Sequence, residues 1–154
     1  MEDQKYMLMA LEEAKIAALE DEVPVGCVIV KDGKVLARSH NQKERFQDVS
    51  AHAELLAIRE AEEKLGTWHL DGATLYVTLE PCMMCTGAIV HSRIRQVVFG
   101  TKDPKGGALV SNIKLEEVKG INHYPDVIEG VMKEECATIL KEYFRWKRSC
   151  KAKN

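Results

Sequence analysis

Long apolar runs are missing from this sequence. The first residues, Met1-Glu2-Asp3-Gln4-Lys5, are acidic and polar, and no apolar stretch follows them, which argues against a secretory leader and a membrane span. Internal repeats, low-complexity tracts and linkers are missing too. With 154 residues, a single domain over residues 1–154 around one hydrophobic core is therefore expected. Cysteine is sparse and badly placed for bridging: Cys27, Cys82, Cys85, Cys136 and Cys150 are odd in number, and only Cys82 and Cys85 stand close together. A chain of this length does not need disulfide staples, so the reading is a cytoplasmic protein with free thiols and one pair available to a metal.

What is present is an ordinary globular composition, 45% apolar and 30% charged. The net charge of −2 hides an asymmetry. Residues 141–154 hold six Lys or Arg and one acid, a balance of +5, which leaves −7 for residues 1–140. A basic C-terminal end on an acidic body can hold a phosphate backbone locally, and it can equally be a solvated helix end complementing the dipole.

Apolar residues at helical spacing (Met7, Leu11, Ala14, Ala18) predict a helix from about Tyr6 to Leu19. Val25–Val30 reads as a strand, turned by Asp32-Gly33 into a second through Val35–Ala37. Ser50 is expected to cap a helix that runs through Leu55, Ile58 and Ala61 to a stop at Gly66. Thr74–Leu79 is the clearest central strand, and Pro81 sits where a helix begins. Strands at 96–100 and 126–128, a short segment near 113–118 and a last helix over about 132–148 complete the chain. The order implies an α/β fold, a mixed sheet with helices on both faces.

Two short segments carry the chemistry: His52-Ala53-Glu54 and Pro81-Cys82-Met83-Met84-Cys85. Each is weak alone, but each falls at the start of an expected helix. Cys82 and Cys85, three apart, share a helix face and can ligate one ion. His52 and Glu54, two apart, cannot share a face, so the ion must sit beyond the helix ends, where the dipoles favour thiolates. Two thiolates and an imidazole suit zinc and leave the fourth tetrahedral position for water. Glu54 is then within reach of the proton that such a water releases. A closed structural site would need a fourth protein ligand, and His40, His69, His91 and His123 all lie at unsuitable spacings.

Through these two segments the chain resembles the zinc-dependent cytidine and nucleobase deaminase superfamily, whose motif is a general pattern for such sites. Glu22–Gly26, Ala51–Glu54, Leu75–Cys82, His91–Ile94, Val97–Gly100, Asn122-His123 and Tyr143–Arg145 make it most similar to the bacterial tRNA adenosine deaminases, which convert a wobble adenosine to inosine. The resemblance implies a three-layer α/β/α cytidine-deaminase-like fold with a mixed five-stranded sheet. It implies one Zn2+ per chain on His52, Cys82 and Cys85, with Glu54 as the proton shuttle. Asn41 matches the asparagine that hydrogen-bonds the target nucleoside, and Val25 a residue packed on its base. Asp103, Asn122, Phe144 and Arg145 fall where the family meets the anticodon loop. The implied partners are a tRNA anticodon stem-loop and a second copy of the chain, with no membrane.

Three positions depart from the family pattern: Tyr124 stands where Arg is common, Val49 replaces a common Pro, and Leu109-Val110 occupies a loop often richer in Gly. Two other readings share part of the motif. A deaminase of a free nucleobase, nucleoside or pterin would carry every zinc-site residue. A non-catalytic, zinc-stabilised binding module would carry the ligands but gains nothing from Glu54.

Overall fold

The computed structural model describes residues 2–152; Lys153 and Asn154, part of the basic C-terminal end, lie outside them. Helix α1 (Glu2–Leu19) buries Tyr6, Met7, Ala10, Leu11, Ala14 and Ala17 along one face and carries Glu2 and Asp3 in its first turn, where the helix dipole favours acids. Its alanines let a strand come very close. At Gly26, the first residue of β1 (Gly26–Lys31), an added Cβ would collide with the Ala10 carbonyl and the Ala14 amide.

Strand β1 turns into β2 (Lys34–His40) through Asp32 and Gly33, both at positive φ (51° and 73°), as a two-residue primed hairpin turn requires. A one-turn helix α2 (Lys43–Phe46) follows, then α3 (Ala53–Leu65), which stops at Gly66 in a left-handed cap with φ 68°. The rest runs β3 (Thr74–Leu79), α4 (Met83–His91), β4 (Gln96–Thr101), a 3-10 turn at Leu115–Glu117, β5 (Asp126–Glu129) and α5 (Lys133–Ala152).

The five strands lie in the order β2-β1-β3-β4-β5. Strand β1 is antiparallel to both β2 and β3, whereas β3, β4 and β5 are parallel, so the sheet is mixed. Alternate residues of the central strands enter two cores. Cys27, Ile29, Leu75, Val77, Val97 and Phe99 pack against Ala53, Ala57, Ile58 and Ala61 of α3 and Ile89 and Val90 of α4. Val28, Val30, Tyr76 and Val98 pack against Tyr6, Met7, Ala10 and Leu11 of α1 and Cys136 of α5. Burial on both faces explains why these strands read as continuous apolar runs rather than alternating ones. The layout is that of the cytidine-deaminase-like α/β/α fold.

The structure corrects several local expectations. Helix α1 starts at Glu2 rather than near Tyr6, because its first turn is polar and carries no apolar signal. Helix α2 gives too short a pattern to be legible. Ser50 does not cap α3: its amide and hydroxyl both donate to Asp48 Oδ1, and the N-cap position belongs to His52. Helix α5 extends to Ala152. Among the described residues, no helix is long and apolar enough to cross a membrane.

Candidate metal and catalytic site

Helices α3 and α4 begin on the same side of the sheet, and each places a candidate metal ligand at its N-cap. His52 and Cys82 both have extended backbone there, and neither side chain caps its own helix. Their side chains are thus free to turn outward. The capping role at α3 passes to Asn41, whose Oδ1 accepts the Ala53 amide at 2.8 Å. Cys85, in the first turn of α4, completes the group and is fully buried.

The three ligand atoms all lie within 4.8 Å of one another. Cys82 Sγ and Cys85 Sγ stand 3.7 and 3.6 Å from His52 Nδ1. Zn–S bonds of about 2.3 Å and Zn–N bonds of about 2.0–2.1 Å at tetrahedral angles put neighbouring ligand atoms roughly 3.6 Å apart. The residues therefore fit a tetrahedral cation without rearrangement. The thiols already share their protons unequally: hydrogen bonding from Cys85, with help from His52, holds Cys82 down to about 3, while the bond to Cys82 and burial push Cys85 far up. The His52 imidazole is raised, chiefly by its contact with Cys82.

Glu54, in the first turn of α3, is 3% exposed, and its Oε1 is buried with no hydrogen-bond partner. Burial pushes the carboxyl up to about 7. A divalent cation beside it would pull that value down again, leaving a carboxylate ready to accept a proton. An unpaired buried carboxylate oxygen is costly, which makes Glu54 the candidate here for proton chemistry.

The other sequence-derived candidates divide. Asn41 joins the site through Ala53, and its backbone amide donates to the Val25 carbonyl at 3.1 Å. Val25 is 5% exposed and belongs to the α3–α4 core. Asp103 sits on the loop after β4, where its carboxylate accepts the Lys105 and Gly106 amides. Asn122 lines a cavity with Trp68 and Arg93, and Phe144, 42% exposed, and Arg145 stand on the exposed side of α5. In the basic end, Lys147 is paired with Asp21 at 2.7 Å.

Two acids were quoted in the sequence without a role and turn out to organise the surroundings. Buried Glu22 accepts the Glu44 and Arg45 amides at 3.0 and 2.8 Å, which fixes α2 beside Asn41. Glu80, directly before Pro81 and 2% exposed, accepts the amides of Asp103, Leu109, Val110 and Ser111 and the Ser111 hydroxyl. It draws the 103–111 loop onto the start of α4. Gly107 leaves room for this carboxylate, since a Cβ there would strike it. An acid inside an otherwise apolar segment was the available signal.

Burial raises the Glu80 carboxyl, but the hydrogen bonds from Ser111, Val110 and Asp103 outweigh it and hold it below the ordinary carboxylate value. Its stabilising effect is therefore present above the unfolded value near 4.5 and fades as pH falls through the folded one. Glu80→Gln should unfold about 1–3 kcal/mol more easily at pH 7, the loss of a charged acceptor serving several donors. Urea denaturation of both proteins at pH 7 and pH 4 checks this; a gap that does not shrink at pH 4 contradicts it.

Comparison with known proteins places these features in a wider set. A family model described as MafB19-like deaminase matches residues 1–148. The chain is 51% identical over 144 residues to a tRNA-specific adenosine deaminase of Bacillus subtilis strain 168, covering 94% of this chain and 89% of that one. It is 50% identical over 143 residues to a tRNA-specific adenosine deaminase of Agrobacterium fabrum, covering 93% and 94%. A solved structure from work on A-to-I editing by tRNA:A34 deaminases superposes with a TM-score of 0.86 at 49% identity, over 88% of this chain and 99% of the other.

Proposed function

Because this chain belongs to the MafB19-like deaminase family and is closely related to the bacterial tRNA-specific adenosine deaminases, we propose the reaction that its site supports best. It is a zinc-dependent hydrolase that converts the wobble adenosine of a tRNA anticodon to inosine. The observation that carries this is Glu54, buried with its Oε1 unpartnered beside a His-Cys-Cys group of tetrahedral dimensions.

His52, Cys82 and Cys85 hold one Zn2+ per chain. When bound, zinc supplies the Lewis acidity that makes a water nucleophilic near neutral pH. Glu54 accepts a proton from the attacking water and delivers it to N1 of adenine as oxygen adds to C6. It then takes the proton of the new C6 hydroxyl and passes it to the departing amine, so that the C6–N bond breaks, C6=O forms and ammonia leaves. Asn41 holds its Oδ1 on Ala53 and so presents its amide hydrogens to the nucleoside. Val25 packs against the base, and Asp103, Asn122, Phe144 and Arg145 meet the anticodon loop. A base inside a folded loop must be splayed out to reach such a pocket.

The protein acts in the cytoplasm as a homodimer. Support for the dimer comes from Met83, 68% exposed at the start of α4, beside an apolar groove lined by Val90, Ile113, Leu115 and Ile121. The test is turnover of an anticodon stem-loop with adenosine at the wobble position, against free adenosine, cytosine and guanine in the same buffer. Turnover of the stem-loop with little or none of the free compounds is expected. Efficient turnover of a free base with none of the stem-loop would move the chain to the small-molecule deaminases.

A further inference from the structure

The loop after β4 is a closed unit with a buried base and an exposed tip. Gly107, Ala108 and Leu109 are buried, whereas Pro104, Lys105 and Gly106 are exposed and Asp103 stands half-buried where the tip begins. The Gly107 amide donates to the Asp103 carbonyl at 2.9 Å, and the Asn112 backbone and side-chain amides donate to the Gly107 carbonyl at 3.1 and 3.0 Å. Two links tie this unit to the segment that opens α4. The Ala108 amide donates to the Pro81 carbonyl at 2.9 Å, and the Glu80 carboxylate makes the second link.

The two oxygens of Glu80 divide the loop between them. Oε2 accepts three consecutive amides, those of Leu109, Val110 and Ser111, at 3.1, 2.9 and 2.9 Å. Oε1 accepts the Asp103 amide at 3.2 Å and the Ser111 hydroxyl. One oxygen thus holds the buried end of the loop and the other the residue from which the exposed tip departs. Among the described residues Glu80 belongs to no ion pair, so its charge is met by dipoles alone. A carboxylate only accepts, and its charge strengthens each bond, which suits a side chain that faces five donors. Strand β3 has ended at Leu79, so these bonds hold none of the sheet. They set where the loop tip stands relative to Cys82, two residues further on.

We propose that Glu80 is a positioning residue for the RNA substrate, holding the 103–111 loop so that Asp103 stands where it meets the anticodon loop. The proposal rests on the reading of the chain as a deaminase of folded RNA with Asp103 on its RNA-facing side. A loop released from this anchor samples other positions, and apparent affinity falls by the fraction of time spent in the competent one. His52, Glu54, Cys82 and Cys85 make none of these bonds, so the conversion of bound RNA is left as it was. Glutamine at position 80 can keep its oxygen on the three amides and turn its NH2 towards the Ser111 hydroxyl, but it then aims a donor at the Asp103 amide.

The experiment uses the zinc-loaded full chain and an anticodon stem-loop RNA with adenosine at the wobble position, and reads KM, kcat and zinc content. Glu80→Gln should raise KM about tenfold, as for a loop competent about a tenth of the time, with kcat and zinc content at wild-type values. Gly107→Ala attacks the same contact from the loop side, because a Cβ there would strike the Glu80 carboxylate and the Asp103 carbonyl. It should raise KM in the same way with the Glu80 charge intact, and it carries the test if Glu80→Gln yields no folded protein. Asp103→Ala should raise KM too, and the double variant Glu80→Gln/Asp103→Ala should match the higher of the two single values, because both act through one contact. An unchanged KM in the folded variants would overturn the proposal, as would single effects that multiply in the double variant. A loss of kcat and zinc at constant KM would also overturn it, since Glu80 would then serve only to support α4. A wild type that does not deaminate the stem-loop would remove the functional reading first, and this role with it.

Discussion

Glu54→Ala is expected to retain its zinc and its fold while turnover falls by roughly 10³- to 10⁴-fold, the upper range for a lost general acid–base group. The carboxyl sits beside the ligand set without belonging to it, so the two thiols and the imidazole remain at their spacings of 3.6 and 3.7 Å. Its Oε1 has no partner in the buried site. Removing it deletes an unsatisfied polar atom along with the carboxyl's bonds to its own amide and to Cys85, so the melting temperature should change little. Glu54→Gln should be equally inactive, because an amide keeps the volume but cannot carry the proton. Steady-state kinetics, metal analysis and thermal unfolding together decide the matter. Near-normal turnover in zinc-loaded Glu54→Ala protein would take Glu54 out of the mechanism.

Cys82→Ala should fail differently, losing metal and stability together. Zinc that binds the folded chain and not the unfolded one adds its binding free energy to folding. Removing one of three protein ligands lowers affinity by orders of magnitude, so the variant should purify with well under one zinc per chain. Its melting temperature should match that of the wild type treated with a strong chelator, and added chelator should shift it no further. Cys85→Ala should behave alike, with an added cost from the space left by a fully buried side chain. Full zinc occupancy in both variants would exclude the proposed ligand set.

The clustering of His52, Cys82 and Cys85 was legible in the sequence because its members obey local rules. Cys82 and Cys85 are three apart in one helix turn, and His52 and Glu54 open another, so spacing and helix starts sufficed to bring them together. The strands were legible for a related reason: a run such as Thr74–Leu79 is apolar throughout when both faces are covered. What escaped was side chain to backbone bonding over long separations. Nothing local says that Glu80 will accept amides 23 to 31 residues away, or that Glu22 will hold Glu44 and Arg45. Ser50 misled for the converse reason. Its residue type suits a helix cap, but Asp48, two residues earlier, captured both of its donors. In the basic end, charge counting could not reveal that Lys147 is spent on Asp21.

Asn41 carries a consequence for how variants of this chain can be read and how the chain can change over time. His52, at the head of α3, is turned towards Cys82 and Cys85 and does not cap the helix, so Ala53 borrows its cap from a side chain 12 positions upstream. One amide group thereby answers to two masters: its oxygen secures the helix that bears Glu54, and in the proposed reaction its nitrogen faces the nucleoside. Replacing it by alanine would cost about 1 kcal/mol of capping even if no substrate were ever bound. Aspartate would keep the acceptor and lose the donor, whereas serine is too short to assure either. Drift at this position is consequently confined from two directions at once, and a chain exploring new substrates would first have to find another way to finish that helix.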